Sequence, residues 1–429
     1  MQEEAGQQNM QGGHARGAAH AARAGGIGFE QAAASVSGFV PAYTPPASGS
    51  SARHASGPGA RRDSDGLIRV RKKRRTVSKL AIIIPVAILA LFAAVGAGLA
   101  LYVSSLDSAM APSPQEQEAL DQVLTPVVAT QGEEEPFYLL LLGSDARAGD
   151  TASRSDVTML VRVDAEAATV SLISIPRDTM VTIDGSMQKI NAAYALGGAA
   201  QAVQTVSEFA GVPISHYASV DFESLEKLVD DLGGVWVNVP ESFAAGNGGM
   251  DFVAGEQRLT GAQALAFARE RYNVTGGDFG RAQAQRMVVE AIIKQVLAAE
   301  PVQLPGLISQ LASSVTTDLN VGDLIHYARI FQGSDTGATI YSAACPSYSL
   351  SIDGVSYVGT EFDEWRAMMQ RVDAGLDPAD EAAEIPEEQQ ANESLGAASN
   401  SAAPRDYQSL AESAGLTTDD VISVEGDER

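Results

Sequence analysis

Apolar residues follow two patterns along this chain, one typical of a membrane helix and one typical of a folded α/β domain. Residues 80–103 contain no charged side chain, and a helix of this length extends about 36 Å. It is long enough to cross the roughly 30 Å hydrocarbon core of a bilayer. Between residues 136 and 372, short apolar runs alternate with stretches of helical spacing. This alternation predicts strands interleaved with helices.

The pattern within residues 136–372 predicts a mixed central sheet. The run FYLLLL at 137–142 is continuous, apolar and followed by glycine, as expected of a strand buried on both faces. Residues 157–163 and 169–174 flank a turn-like segment and predict a hairpin. The same reasoning predicts strands at 217–220, 235–239 and 338–344, and helices at 191–210, 222–232, 260–269, 278–299, 305–313, 321–331 and 361–372. The predicted fold is an α/β, three-layer α/β/α sandwich with a mixed central sheet, preceded by one N-terminal transmembrane helix.

Basic residues give the apolar stretch an orientation. RVRKKRR at 69–75 precedes it, and no comparable cluster follows it. The positive-inside rule therefore predicts a single-pass protein of the cell membrane, with residues 1–79 cytoplasmic and residues 104–429 extracytoplasmic. A cleaved signal peptide is the main alternative, and Ala109–Ala111 resembles a cleavage site. Signal peptides, however, have a shorter charged start and an apolar stretch of only about 7–15 residues. A buried core helix is a second alternative, but such helices keep a polar face, which residues 80–103 lack.

Charge divides the chain further. It carries 29 Lys+Arg and 54 Asp+Glu, a net charge of −25, which argues against a nucleic-acid partner. We expect residues 1–79 to be a disordered basic segment, 104–135 an extracytoplasmic spacer, and 136–372 one large folded domain. Residues 373–429 contain fifteen acidic residues and two arginines, which predicts a solvated, disordered acidic tail. One cysteine, Cys345, excludes an internal disulfide and is expected to be buried.

Arginine and aspartate recur together in five stretches. These are 143–147 (GSDAR), 154–156 (RSD), 175–179 (IPRDT), 269–271 (RER) and 277–281 (GDFGR). Two of them directly follow predicted strands, and ligands of open α/β sheets bind where strands end. The guanidinium fork matches phosphate oxygens, and carboxylates suit Mg²⁺ or Mn²⁺. The stretches therefore predict a phosphate and magnesium site, and the absence of a Gly-x-x-x-x-Gly-Lys loop excludes a P-loop.

Helical spacing tests whether these side chains can meet. Asp278, Arg281 and Gln285 are spaced i, i+3 and i+7, which places them on one helical face. Arg269 and Arg271 diverge on a regular helix, so they approach one ligand only if the helix ends there. Taken singly, an arginine is more commonly part of a surface ion pair. Ser144 could be read as a nucleophile, but no Gly-x-Ser-x-Gly elbow surrounds it, which argues against that role.

In their order, LLLGSDAR, RSDVTML, SIPRDTMV, KINAAYALGG and ARERYNVTGGDFGRAQAQR resemble the LytR-CpsA-Psr family of cell-wall ligases. The resemblance extends from about Phe137 to Val372. It implies an Mg²⁺-dependent phosphotransferase, with Mn²⁺ as a possible substitute. Such an enzyme moves an anionic glycopolymer (teichoic acid-, capsule- or arabinogalactan-like) from a polyprenyl pyrophosphate carrier to peptidoglycan through a phosphodiester bond.

The resemblance also implies roles for individual residues. Asp145 and Asp156 would bind the metal. Asp278 would orient an arginine or help to remove the acceptor's proton, and Lys189 is a weaker candidate. The pyrophosphate would be held by Arg147, Arg154, Arg177, Arg269, Arg271, Arg281 and Gln285. The residues expected to act in catalysis are Asp145, Arg177, Asp278 and Arg281.

A prenyl carrier also requires an apolar groove. Side chains apolar enough to line it, though each is more commonly plain core, are Met159, Leu160, Val161, Ile190, Leu225, Leu228 and Val229. One departure from the family pattern is Ala284, where an arginine is frequent, so one phosphate contact is expected to be absent. Alternatives that the sequence leaves open are a polyprenyl-pyrophosphate hydrolase, a non-catalytic membrane-anchored regulator or binder, and a wall-anchoring protein. The sequence does not determine the oligomeric state.

Overall fold

The computed structural model describes residues 79–130, 133–144, 155–244, 250–334, 337–396 and 415–422. The strands are β1 (Ala129–Thr130), β2 (Glu133–Glu134), β3 (Phe137–Ser144), β4 (Ser155–Asp164), β5 (Thr169–Ile175), β6 (Met180–Ile183), β7 (Ser186–Lys189), β8 (His216–Asp221), β9 (Val235–Val239), β10 (Gly255–Leu259), β11 (Thr316–Thr317), β12 (Thr339–Ala344), β13 (Ser347–Ile352) and β14 (Val355–Thr360). The helices are α1 (Lys79–Met110), α2 (Pro114–Leu120), α3 (Ala192–Ala210), α4 (Phe222–Asp231), α5 (Gly261–Arg269), α6 (Asp278–Leu297), α7 (Leu304–Ala312), α8 (Val321–Gly333), α9 (Phe362–Asp373) and α10 (Glu387–Ala391).

The central sheet has six strands in the order β11-β8-β3-β4-β5-β12. β3 runs parallel to β8, and β5 runs parallel to β12. β4 is antiparallel to both of its neighbours, β3 and β5, and β11 is antiparallel to β8. The mixed central sheet of the prediction is therefore confirmed. Because β3, β5, β8 and β12 point the same way, their carboxyl ends lie at one edge.

Each face of the sheet has its own apolar cluster. Leu140 and Leu142 of β3 pack with residues of α3 and α9, where Phe209 and Trp365 stack at 5.3 Å. Leu139 and Leu141 face the opposite way, toward residues of α6 and α8. This alternation follows from the period of two along a strand. The finer arrangement in three layers stays a prediction.

A third cluster lies under the helices that carry the arginines. It joins α4, α5, α6 and the β9–β10 hairpin. At its centre Phe243 and Phe252 stack at 4.8 Å, and Phe267 of α5 lies 5.6 Å from Phe252. The cluster packs the end of α5 against α6 from Ala284 onward.

The N-terminal helix is longer than the predicted span. α1 continues to Met110, and within the described part of the chain its segment Ala90–Met110 has the length and apolar composition needed to cross a membrane. Its last turns pack on the domain. Met110 is only 1% exposed and packs with Ile308 of α7. Asp107 also accepts a hydrogen bond from the Val321 N–H (2.8 Å). Part of the predicted spacer thus belongs to the folded unit.

Two segments of the predicted acidic tail differ from a solvated extension. Residues 374–396 pack back on the domain, with Leu395 only 2% exposed and the Gly396 N–H donating to the Ala210 carbonyl (2.8 Å). Residues 415–422 contain a 3₁₀ turn at Thr418–Asp420. Single apolar residues within an acidic sequence give no periodic signal, so their packing was not predicted. Residues 1–78, 397–414 and 423–429 lie outside the described residues.

Candidate functional site

The candidate site lies at the edge where the parallel strands end. Arg177 and Asp178 follow β5, and Asp156 lies at the start of the neighbouring strand β4. The N-terminus of α6 approaches the same edge and brings Asp278 and Arg281. A cavity of about 30 Å³ opens between these elements and is lined by Asp156, Val157, Thr158, Ser174, Ile175, Pro176, Arg177, Asp178, Asp278, Phe279, Arg281, Ala282, Gln285 and Val358.

Arg177 and Asp156 form the shortest ion pair of this cavity. Arg177 Nη1 donates to Asp156 Oδ1 at 2.7 Å, and the two side chains are 24% and 27% exposed. Burial by itself lowers the pKa of Arg177, but the hydrogen bond and charge of Asp156, with the nearby carboxylates, raise it overall. Arg177 Nε is buried, has no hydrogen-bond acceptor among the described residues, and lies 3.8 Å from Asp178 Oδ2. An anionic oxygen would satisfy this donor.

Lys189 reaches the same turn from β7. Its Nζ lies 3.0 Å from Asp178 Oδ1, and both side chains are largely buried. Lys189 therefore offsets the negative charge of Asp178 beside Arg177. Lys189, the weaker candidate of the sequence analysis, is thus part of the site's charge network. It does not line the cavity itself but contacts Asp178, which does.

The α6 N-terminus contributes a second group of charges. Asp278 Oδ1 lies 3.2 Å from Arg281 Nη2 and 3.8 Å from Arg271 Nη1. Burial lowers the pKa of Arg281, and the positive charges of Arg177 and Arg271 lower it further, against the opposing carboxylates. The described charged groups of the site are four cations, Arg177, Lys189, Arg271 and Arg281, and three carboxylates, Asp156, Asp178 and Asp278.

Helix α5 ends between its two arginines, as the sequence analysis required for them to approach one ligand. The helix begins with a capping box from Thr260 and ends at Arg269, and Glu270 has an extended backbone. Glu270 is 1% exposed, and its Oε1 accepts the N–H groups of residues 271, 272 and 273 at 3.0, 2.8 and 3.1 Å. Glu270 therefore fixes the turn that directs Arg271 to Asp278. It was missed because its role depends on burial, which the motif RER does not reveal.

The two arginines nevertheless have different surroundings. The Arg271 guanidinium contacts the Tyr272 ring at 4.6 Å and bonds to its hydroxyl. The Arg269 guanidinium lies 4.5 Å from the centre of the Phe222 ring. Arg269 is thus placed beside an apolar cavity, while Arg271 belongs to the charge network.

That apolar cavity, of about 150 Å³, adjoins the charged one. The two share Val157 and Gln285. Gln285 is 7% exposed, and its Nε2 donates to the Ala268 carbonyl (3.3 Å), which ties α6 to the end of α5. The apolar cavity is lined by Leu141, Leu142, Gly143, Val157, Val220, Asp221, Phe222, Leu225, Leu228, Ala268, Gln285, Val288, Val289, Ile292, Ile293, Leu311 and Val315.

The residues predicted to line a prenyl groove are divided between the apolar cavity and the packed core. Leu225 and Leu228 line the apolar cavity. The others pack instead in the apolar clusters, namely Met159, Leu160, Val161, Ile190 and Val229. Their apolar character alone did not distinguish a cavity wall from packed core.

Ala284 does not point into the charged cavity. It is 7% exposed and lines a separate small cavity with Phe243, Phe267 and Ile422. The helical turn that directs Gln285 to the site directs Ala284 to this apolar cluster. The expectation of a lost phosphate contact at position 284 is therefore not supported by the geometry. Cys345 is fully buried, as predicted, and burial raises its pKa to about 12.

Three predicted site residues, Asp145, Arg147 and Arg154, lie outside the described residues. Among the residues that are described, no group of three or more Asp, Glu, His or Cys side chains is placed to hold a metal ion. Asp156 is the one proposed metal ligand that can be located. Ser144, which precedes Asp145, pairs with Ser155, which precedes Asp156.

Comparisons with known proteins agree with this architecture. Residues 100–373 match the family model of the LytR_cpsA_psr family. The polyisoprenyl-teichoic acid–peptidoglycan teichoic acid transferase TagU of Halalkalibacterium halodurans is 39% identical over 205 residues, which cover 47% of this chain and 67% of that protein. The protein of the same name from Enterococcus faecalis is 34% identical over 245 residues, covering 56% and 79%.

A solved structure has the same fold. The crystal structure of protein gbs0355 from Streptococcus agalactiae superimposes with a TM-score of 0.50 at 26% sequence identity, covering 57% of this chain and 88% of that one. The family match spans more than half of the chain and includes every described residue of the site. The chain belongs to the LytR_cpsA_psr family.

Proposed function

We propose that this chain transfers an anionic glycopolymer from a polyprenyl pyrophosphate carrier to peptidoglycan. The observation that carries the proposal is the pair of adjoining cavities, one lined by arginines and one almost entirely apolar, which share Val157 and Gln285. A prenyl diphosphate likewise has a charged diphosphate group joined directly to an apolar chain. The names of the relatives from H. halodurans and E. faecalis support a transferase that acts on cell-wall polymer.

The charged cavity would bind the diphosphate. Arg177 and Arg281 line it, and Arg271 approaches through Asp278. Each guanidinium pairs with a carboxylate at 2.7–3.8 Å, so its N–H donors are already oriented. Phosphate oxygens would replace the carboxylates as acceptors. Preorganised donors of this kind stabilise the charge that develops when a phosphoryl bond breaks.

The apolar cavity would hold the prenyl chain near the diphosphate. A cavity with such a lining offers water no hydrogen-bond partners and favours apolar groups. Arg269, stacked on Phe222 at its border, would provide a cation where the chain meets the first phosphate. The proposed prenyl groove therefore lies along α4 and α6, and Leu225 and Leu228 of the predicted lining belong to it.

The reaction would need no nucleotide. The acceptor hydroxyl oxygen of peptidoglycan would attack the phosphorus that carries the glycopolymer. A new P–O bond would form, the bond to the bridging oxygen would break, and polyprenyl monophosphate would leave. Asp278, which is 47% exposed beside Arg281, is the proposed acceptor of the hydroxyl proton or an orienting group for Arg281. Arg177 would neutralise charge on the leaving phosphate.

A divalent cation fits the proposed donor set. Asp156 places a carboxylate at the charged cavity, and Asp145 follows Ser144, whose pairing partner Ser155 precedes Asp156. Carboxylate oxygens are the ligands that Mg²⁺ and Mn²⁺ prefer. When bound, the cation would neutralise phosphate charge. Asp156 would be among the residues that hold the cation, and Arg177 would contact the phosphate.

We further propose that α1 anchors the chain in the cell membrane with the N-terminus cytoplasmic and the site outside. The candidate span Ala90–Met110 and the basic cluster at 69–75 support this orientation. α1 packs on α7, and Leu311 of α7 lines the apolar cavity. The site would thus lie close to the leaflet that holds a prenyl carrier.

The test uses the full-length chain in detergent with a synthetic polyprenyl pyrophosphate-linked glycan, peptidoglycan oligomers and Mg²⁺. We expect a phosphodiester-linked product by mass spectrometry. Release of glycan phosphate that is faster without the acceptor than transfer with it would instead identify a polyprenyl-pyrophosphate hydrolase. Tight binding of the donor without any product would identify a non-catalytic binder, and either result refutes the proposal.

A further inference from the structure

Residues 415–422, called the strap, lie beyond the region matched by the family model and contact both strand β13 and the segment that carries Asp278 and Arg281. The strap is internally ordered by a capping box in which Thr417 and Asp420 exchange side-chain and backbone hydrogen bonds. Thr417 forms an isolated antiparallel bridge with Tyr348 of β13. A segment of the acidic tail has thus become part of the domain.

One side of the strap is attached to the β13–β14 hairpin. The Ser349 N–H donates to the Leu416 carbonyl (2.9 Å), and the Ser347 N–H donates to Thr418 Oγ1 (3.2 Å). On the partner strand β14, the Val358 N–H donates to the Asp178 carbonyl (2.9 Å), and Val358 lines the charged cavity. This side therefore leads to the turn that carries Arg177.

The other side of the strap contacts the loop before α6 and the first turns of α6 itself. Gln283 Nε2 donates to the Ile422 carbonyl (2.7 Å). Val421 Cγ2 lies 3.1 Å from the point that a Cβ would occupy at Gly276, and Leu416 Cδ1 lies 3.5 Å from that point at Gly277. Ile422 covers the small cavity lined by Ala284. This side therefore leads to Asp278 and Arg281.

The loop before α6 needs such a restraint. Gly276 and Gly277 have φ values of +80° and +59°, and glycine loses more conformational freedom on ordering than any other residue. The loop also brings Arg281 and Arg271 toward Arg177, and the carboxylates of Asp156 and Asp278 oppose the repulsion between these cations. Without a contact from outside, the freedom of the two glycines favours movement of the α6 N-terminus.

We propose that the strap is a positioning element, which holds the α6 N-terminus against the Arg177 turn so that the arginines can bind one diphosphate. The inference rests on the proposed function. The described lining of the charged cavity comes from other segments, so the strap acts from behind the loop without contacting substrate. Its loss should weaken diphosphate binding rather than uncover the site.

The experiment compares the full-length chain with two truncations, one ending at residue 414 and one ending at residue 422, which keeps the strap. Binding of inorganic pyrophosphate is measured by calorimetry, and transfer kinetics give kcat and KM separately. We expect the chain ending at 414 to show an increase of about tenfold in both Kd and KM, with kcat changed less than threefold. The chain ending at 422 should match the full-length protein.

Point variants and rescue separate positioning from general stability. Gln283→Ala should raise Kd two- to fourfold, whereas Gln295→Ala, on the same helix, should leave it unchanged. A synthetic peptide of residues 415–422 should restore binding to the chain ending at 414. The inference is wrong if that chain binds pyrophosphate normally, if it turns over faster, or if the peptide does not restore binding. If the full-length chain neither binds pyrophosphate nor transfers glycan, the proposed function fails, and amide exchange at residues 276–283 still tests whether the strap restrains the loop.

Discussion

Replacement of Arg177 is the sharpest test of the charged cavity. Arg177 is the residue that connects the β5 edge to the α6 N-terminus electrostatically, because its pKa responds to both Asp156 and Asp278. Arg177→Ala removes a charge-assisted hydrogen bond of 2.7 Å and the buried donor Nε. It leaves the main chain of the turn intact, since Thr179 bonds to Pro176 through both its N–H and its hydroxyl.

The expected magnitude follows from the role of this donor. Losing one preorganised donor to a developing phosphate charge costs about 2.7–4 kcal/mol, or a factor of roughly 10²–10³ in kcat/KM. The cost in stability should be only about 1 kcal/mol, because water can solvate the partly exposed Asp156 once its partner is gone. Arg177→Lys keeps the charge but loses the planar fork, so its activity should lie between those of Arg177→Ala and the parent chain.

The assay is transfer from a polyprenyl pyrophosphate-linked glycan by the full-length chain, with unfolding followed by circular dichroism. Arg329→Ala, which removes an exposed arginine on α8, is the matched control and should behave as the parent chain. If Arg177→Ala retains kcat/KM within threefold at an unchanged melting temperature, then the arginine cavity is not the diphosphate site and the reasoning is refuted.

Three further predictions concern the apolar cavity, the metal and pH. Leu225→Trp narrows the apolar cavity and should raise KM at least tenfold for a long-chain prenyl donor but much less for a donor with one isoprene unit; equal effects would exclude that cavity as the prenyl site. Removal of divalent cations with a chelator should abolish transfer, and Mg²⁺ or Mn²⁺ should restore it; unchanged activity would argue against a metal at Asp156. Burial, helped by Glu364 and Asp419, raises the pKa of Glu361 to about 7, so the free energy of unfolding should fall as pH rises from 4.5 to 7. Glu361→Gln should remove that fall. With a discount for solvent screening, the variant should be about 1 kcal/mol more stable than the parent chain at pH 8 in urea unfolding. A variant whose stability falls with pH in parallel with that of the parent chain would contradict this.

Motif order was the most informative part of the sequence. It identified the family and placed Asp156, Arg177, Asp278 and Arg281, which the structure brings to one cavity. Helical spacing indicated that Arg269 and Arg271 could approach one ligand only if the helix ended there, and α5 does end at Arg269. The proximity of these side chains could be inferred because strand ends, helical spacing and helix caps are local properties. The roles of all these residues, and those of Asp145, Arg147 and Arg154, stay predictions.

Other features had no local signal. Glu270 looks like any acidic residue in a helix end, and only its burial shows that it holds three backbone N–H groups. Ala284 and Gln285 are neighbours in sequence but face different cavities. The β13–β14 hairpin was not predicted, because its partly exposed strands lack a strong alternating pattern.

The sequence by itself therefore determined the α/β class, the apolar helix, the family and the residue types of the site, since each depends on composition, spacing or motif order. Tertiary structure alone decided which apolar side chains surround a cavity, which arginines share Asp278, and that residues 415–422 contact both β13 and α6. These outcomes depend on contacts between residues far apart in the chain, such as Gln283 and Ile422, and such contacts follow from packing rather than from any periodic pattern.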